Sequence, residues 1–191
     1  MNQEITKDGF TFILGDNWTY YDYEQSIFYK NLSNSLRGKD LEGNDIGTKC
    51  VDIILKSPND IIFLIEIKDF RINISGSKTR IKNENLFSHV AIQIRDTIAG
   101  LYGAYKDNYS ELNHISSSIF KKDILVYAIF IFEESGHLIS SNPNKFRENR
   151  KNYKRKLAQI LKYMNIECNV VCTRDYATFD YGWKVKFEEK L

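Results

Sequence analysis

The sequence predicts an α/β fold, a mixed β-sheet packed with helices, on three observations. Short runs rich in β-branched residues alternate with longer segments whose apolar residues recur every three to four positions. One run, ILVYAIFIF at 124–132, is apolar throughout, as suits a central strand buried on both faces. Two others, TKCVDIILK and IIFLIEIKDF, are separated only by SPND, which reads as a hairpin.

The remaining elements follow in order. GFTFIL at 9–14 reads as a short strand ended by Gly15 and Asp16. A helix is expected from Asp22 to about Arg37, with Asp22 and Gln25 spaced as a capping box and Phe28, Leu32 and Leu36 at helical intervals. A polar loop ends at Gly47, before the hairpin. The stretch 71–83 is polar and carries Arg71, Lys78, Arg80 and Lys82. Leu86, Val90, Ile94, Ile98 and Leu101 put one apolar face on a helix over 84–105. Residues 108–122 read as polar and irregular, 144–164 as a strongly charged helix, CNVVCT as a buried strand, and 183–187 as a final edge strand. Both prolines, Pro58 and Pro143, read as loop residues.

The 191 residues suit one domain spanning 1–191, long enough to bury a substantial core. No apolar run approaches the ~18 residues of a membrane span. The first ten residues carry Glu4, Lys7 and Asp8 in place of an apolar signal core. A cytoplasmic protein without a membrane partner is expected. Cys50, Cys168 and Cys172 lack a disulfide framework, and the last two read as small buried hydrophobes. Three scattered histidines do not complete a zinc site. A net charge of +2 is too small to indicate nucleic-acid binding, so the distribution of charge has to decide.

The hairpin carries the chemistry. Alternation puts Phe63, Ile65 and Ile67 on one face and Leu64, Glu66 and Lys68 on the other. On the preceding strand Val51, Ile53 and Leu55 share one face, and Cys50, Asp52 and Ile54 the other. A Pro58-Asn59-Asp60 loop pairs Ser57 with Ile61, and counting back sets Asp52 opposite Glu66. Two carboxylates about 5 Å apart repel and call for a cation. Lys68 supplies part of the compensation and a divalent metal, Mg²⁺ with Mn²⁺ as substitute, the rest. Asp52, Glu66 and the backbone carbonyl of Ile67 would be its oxygen ligands. Mg²⁺ polarises a phosphoryl oxygen and acidifies a bound water, and Lys68 can hold that water, so phosphodiester hydrolysis is the expected chemistry. The competing reading is a plain ion pair, with Glu66 and Lys68 solvated on an edge strand.

Asp52 and the triplet Glu66-Ile67-Lys68, on neighbouring strands with a helix on either side, resemble the PD-(D/E)xK nuclease superfamily of restriction endonucleases and repair nucleases. The stretches GTKCVDIIL, IEIKDFR and QIRDTIAGLYGA are similar to a bacterial group within it. The resemblance runs over residues 20–132 and implies a restriction-endonuclease-like αβββαβ core, a mixed central sheet flanked by helices, Mg²⁺ dependence and a nucleic-acid substrate. Val51 stands where many members have proline, and Thr97 where some have a tyrosine four residues after glutamine. The resemblance also implies an acidic residue from the first helix near the metal. Glu24 is the candidate and Asp22 its competitor. Asp22 reads as a helix cap and Glu24 equally as an amphipathic border residue.

Gln93 lies beside the apolar face of its helix, placed either to reach a phosphate or water, or to bond across the sheet–helix boundary. Lys151, Lys154 and Arg155 belong to a helix with eight cations against one acid, Glu148. That face either binds phosphates, with Lys78 and Arg80 adding to it, or simply faces solvent. The leading reading is a Mg²⁺-dependent nuclease acting on DNA ahead of RNA, as a homodimer or within a larger defence or repair complex. The alternatives are a catalytically silent module of the same fold that binds nucleic acid or a protein, and an interaction subunit.

Overall fold

Runs joined by a short turn pair as hairpins, Gln3–Lys7 with Phe10–Leu14 and Ile53–Lys56 with Ile62–Asp69, while the other strands of the larger sheets pair across longer connections. In the computed structural model, which describes residues 3–39, 45–70, 85–133, 143–173 and 181–187, the elements are as follows. The first are β1 (Gln3–Lys7), β2 (Phe10–Leu14), β3 (Thr19–Tyr21), α1 (Ile27–Ser35), β4 (Gly38–Lys39) and β5 (Asp45–Ile46). The hairpin strands β6 (Ile53–Lys56) and β7 (Ile62–Asp69) lead to α2 (Asn85–Lys106) and α3 (Asn113–Ile119). Then come β8 (Val126–Glu133), α4 (Pro143–Leu161), β9 (Glu167–Val171) and β10 (Trp183–Phe187).

Five strands form a mixed sheet in the order β3-β6-β7-β8-β9, antiparallel from β3 to β7 and parallel from β7 to β9. The β6–β7 register pairs Ile53 with Ile65 and Leu55 with Phe63, as the hairpin spacing predicts. The turn closes where Ser57 N–H donates to the Ile61 carbonyl at 2.9 Å. Asp60, at φ 62, takes the left-handed conformation that its short polar side chain tolerates. Central strand β8 is buried on both sides. Phe130 and Phe132 face the helices, and Ile129 and Ile131 the opposite layer.

Strand order β7-β8-β9 advances in one direction, so crossovers of one hand lay α2 and α4 on the same face. Val90, Ile94, Leu101, Leu157 and Leu161 pack there against Ile54, Leu64, Phe130 and Val170. The other face needs a different cover. A three-stranded antiparallel sheet, β1-β2-β10, supplies it with Phe10, Phe12, Leu14, Trp183 and Val185. Among the described residues the central sheet is therefore flanked by helices on one face, the other being covered by the second sheet. Strand 9–14 belongs to the second sheet, and the first edge strand of the main sheet is Thr19–Tyr21.

Three local expectations change. The helix expected from Asp22 begins instead with a 3₁₀ turn at Tyr23–Gln25, whose Gln25 N–H Asp22 caps at 3.3 Å. Ser26, at ψ 145, interrupts the chain and its Oγ caps Tyr29 N–H at 3.0 Å to start α1. Residues 113–119 form a helix because Leu112, Ile115 and Ile119 recur at helical spacing and are buried, a pattern masked by Ser and Asn. Pro143 is the first helical residue of α4, where a missing N–H costs nothing.

Gly100 of α2 lies against the buried Tyr23, and a Cβ built there would collide with the tyrosine hydroxyl. That hydroxyl is buried without a hydrogen-bond partner among the described residues. Gly100→Ala is expected to destabilise the fold by about 1–3 kcal/mol in urea unfolding. Adding Tyr23→Phe should recover most of the loss, and a double variant no more stable than Gly100→Ala would show that the contact is not the cause.

Candidate active site

The hairpin ladder ends one residue early, and the site occupies the gap. Continuing the two-residue period would pair Val51 with Ile67. The chain bends at Asp52, however, and Val51 turns to the helix-side core, away from Ile53 and Leu55. Helix α2 holds it there. Val51 N–H donates to Thr97 Oγ at 3.0 Å, Gln93 Nε2 donates to the Cys50 carbonyl at 3.0 Å, and Lys49 N–H donates to Asp96 Oδ2 at 3.2 Å. Spacings of three and four bring these side chains to one stripe of α2, so one helix face grips three consecutive backbone groups.

The opposite side of the gap is closed by Asp52. Its Oδ2 accepts from Ile67 N–H at 2.7 Å, replacing the carbonyl that Val51 withdrew. The carbonyl of Ile67 points to the same strand edge as its N–H and so also faces the gap. Glu66, one residue earlier on β7, is 0% exposed on the helix face. Lys68, two residues on, forms an ion pair with Glu66 Oε1 while its side chain stays 33% exposed. Glu66 Oε2 is buried with no hydrogen-bond partner among the described residues.

Burial pushes the Glu66 carboxyl up to about 7, the Asp52 charge adds to the rise, and Lys68 and Gln93 oppose it. Asp52 is also raised, by burial above all, against the Ile67 N–H and the Lys68 charge. The Asp52 charge thus reaches Glu66, and their protonation is linked. Burial drives the neighbouring Cys50 thiol up to about 12, with the Glu24, Asp52 and Glu66 charges adding to it. Cys50 therefore stays protonated at neutral pH and is a poor nucleophile.

Three residues that local sequence patterns do not single out border the site. Thr97, 0% exposed, is the clamp on Val51. Lys7 and Asp8 arrive from the second sheet at the β1–β2 turn, and both charges act on Asp52. Asp8-Gly9, at φ 53 and 80, is an Asp-Gly hairpin turn, a signal that could have revealed β1 and this rim.

The other expected residues divide. Glu24 is 50% exposed, and its Oε2 accepts from Lys7 Nζ at 3.2 Å. Asp22 lies 3.9 Å from the same ammonium besides capping its turn. Gln93 bonds across the helix–sheet boundary. Lys151, Lys154 and Arg155 are exposed on α4, which packs over β9, two strands from β7. Arg155 donates to Asn152 at 3.3 Å. Lys78 and Arg80 lie outside the described residues. Cys168 and Cys172 are buried, as expected.

Among the described residues no group of three or more His, Cys, Asp or Glu lies together as a metal cage. Cation ligands would have to be the two carboxylates, a backbone oxygen and water, a set that suits Mg²⁺. The orphaned Glu66 Oε2 beside a second carboxylate fits such an ion.

Because the folded Glu66 carboxyl titrates near 7 against an ordinary 4.5, the native protein retains a proton that the unfolded chain releases between those values. The stability this proton contributes is complete below 4.5 and is lost as pH rises to about 7. Chelator-treated wild type should therefore lose stability relative to Glu66→Gln across that window in thermal melts. A constant difference from pH 4.5 to 7 would remove the buried carboxyl from the pH profile. Comparison with known proteins finds no matching family model, no matching curated protein and no matching solved structure, so the chemistry has to be read from the site's own geometry.

Proposed function

We propose that this protein is a metal-dependent nuclease that hydrolyses phosphodiester bonds, in DNA ahead of RNA. The observation that carries the reading is Glu66, fully buried, electrostatically opposed by Asp52 and with one oxygen unpartnered among the described residues. A buried acid pair with one nearby ammonium is costly to ionise without a further cation. Asp52, Glu66 and the Ile67 carbonyl would hold Mg²⁺, or Mn²⁺ in its place. When bound, the ion would polarise a phosphoryl oxygen and acidify a coordinated water.

The chain's own groups do the rest. Asp52 is oriented by Ile67 N–H, so its second oxygen is free to act as a ligand. Lys68 is anchored by Glu66 yet one-third exposed, which lets its ammonium orient a water and stabilise charge developing on the phosphate. The strand–strand–helix–strand succession β6-β7-α2-β8, with Asp52 and Glu66-Ile67-Lys68 on the hairpin, supports the restriction-endonuclease-like αβββαβ core. Exposed Lys151, Lys154 and Arg155 are available to phosphates as one strip of α4. A homodimer or a defence or repair complex would supply the sequence recognition that the described elements lack.

The second reading is a silent module that binds nucleic acid or a partner without cutting. The Lys68–Glu66 ion pair favours it, because the lysine already neutralises one carboxylate oxygen.

Plasmid, linear and single-stranded DNA and RNA, incubated with Mg²⁺ or Mn²⁺, separate the readings. Asp52→Asn, Glu66→Gln and Lys68→Met should each lower cleavage at least about 100-fold while the melting curve stays cooperative. Three variants that cut like wild type would end the nuclease reading, and a wild type that binds DNA without cutting would favour the silent module. Neutralising Lys151, Lys154 and Arg155 together should weaken DNA binding and lower the salt slope by about 0.9 for each phosphate no longer neutralised. An unchanged slope would take α4 out of the interface.

A further inference from the structure

Lys7 is the least expected residue near the carboxylate pair. It comes from the second sheet, at the end of β1, where the ladder with β2 pairs it with Phe10 and the Asp8-Gly9 turn fixes its position. Its side chain is only 17% exposed. The ammonium lies 3.2 Å from Glu24 Oε2 and 3.9 Å from Asp22 Oδ1, and its charge reaches Asp52. Glu24 in turn acts on Cys50, as Asp52 and Glu66 do. Strand β3 pairs Tyr21 with Ile54, so the 3₁₀ turn that follows begins at the Asp52 end of β6, and Lys7 holds both acids at that turn. Glu24 is half exposed and sits on a single turn of helix, so its side chain has freedom to move once that ammonium is gone.

We infer that Lys7 is a latch that holds Glu24 out of the cation site, setting at two the number of carboxylates offered to a divalent ion. The inference rests on the metal-site reading above, whose independent mark is the buried Glu66 Oε2, unpartnered among the described residues. The second sheet, in this view, tunes the chemistry of the first. It withholds a third carboxylate, and so keeps the affinity for hard cations low, because affinity rises with the number of charged oxygens.

Mn²⁺ binding, measured by calorimetry on the full chain, tests this without reference to cleavage. Glu24→Gln should leave the dissociation constant within about twofold of wild type, because Glu24 is not a ligand while Lys7 holds it. Lys7→Met should tighten binding about tenfold or more. Lys7→Arg, which keeps the cation, should behave as wild type. Removing a positive charge also tightens cation binding by itself, so two charge-matched doubles separate the causes. Lys7→Met with Glu24→Gln should return to wild type, whereas Lys7→Met with Asp22→Asn should stay tight. The latch is overturned if Glu24→Gln alone weakens binding tenfold, if Lys7→Met changes nothing, or if both doubles return equally. A wild type that binds no Mn²⁺, or binds it as well with Glu66→Gln, would remove the underlying metal site and the latch with it. Binding abolished in Glu66→Gln with no effect of Lys7→Met would remove the latch alone.

Discussion

The site depends on a ladder that stops one pair short. An antiparallel hairpin continuing through Val51 and Ile67 would spend their backbone groups on each other and leave no opening. Here Thr97 takes the Val51 N–H and Asp52 takes the Ile67 N–H. Each backbone donor keeps a partner, so opening the strands does not strand buried polar groups. The Asp52 carboxylate is thereby held by the main chain of the strand that carries Glu66 and Lys68. Helix α2 enforces the opening, since Gln93, Asp96 and Thr97 bond to the three residues just before Asp52.

Burial then gives the opened pair its character. Glu66 lies beneath α2 with apolar neighbours on its own face, Leu64 among them, and the low local polarity disfavours its charge. A lysine two residues along the same strand answers one oxygen and leaves the other. Such a group gains from any ligand that brings positive charge, and until then it favours its proton. The raised pKa of Glu66 follows from this desolvation above all.

The layer arrangement decides what reaches the site. With the helices on one face, the opposite face of a strongly apolar sheet had to be covered, and β1, β2 and β10 cover it. The β1–β2 turn extends past the sheet edge to the acids near α1, bringing Lys7 against Glu24 and Asp22. A packing requirement thus places a cation that chemistry can use. The basic face of α4 is set apart, over β9, two strands from the carboxylates.

Much of this is legible in the chain. The β6–β7 register follows from a short turn, and α2 and β8 from uninterrupted periodicity, because these features are local and repeat over many residues. The register that would set Asp52 opposite Glu66 follows from the same turn, but the ladder stops at Ile53 and Ile65. Weak local signals do not show: β1 is mostly polar, β3 is three residues of Thr and Tyr, and α3 hides its buried stripe among serines. Other features are beyond local reading altogether. Strand alternation would keep Val51 beside Ile53 and Leu55, whereas bonds to α2, among them that to Thr97, 46 residues away, hold the chain before Asp52 aside. Gln93 bonds the Cys50 carbonyl and also acts on Glu66, contacts that the chain order does not reveal. Lys7 and Glu24 meet because two sheets pack face to face. The sequence by itself determined which side chains share a face along β7, since a period of two needs no partner there. Tertiary structure decided where the ladder opens, how deeply Glu66 is desolvated and which lysine meets Glu24, since each depends on segments distant in sequence.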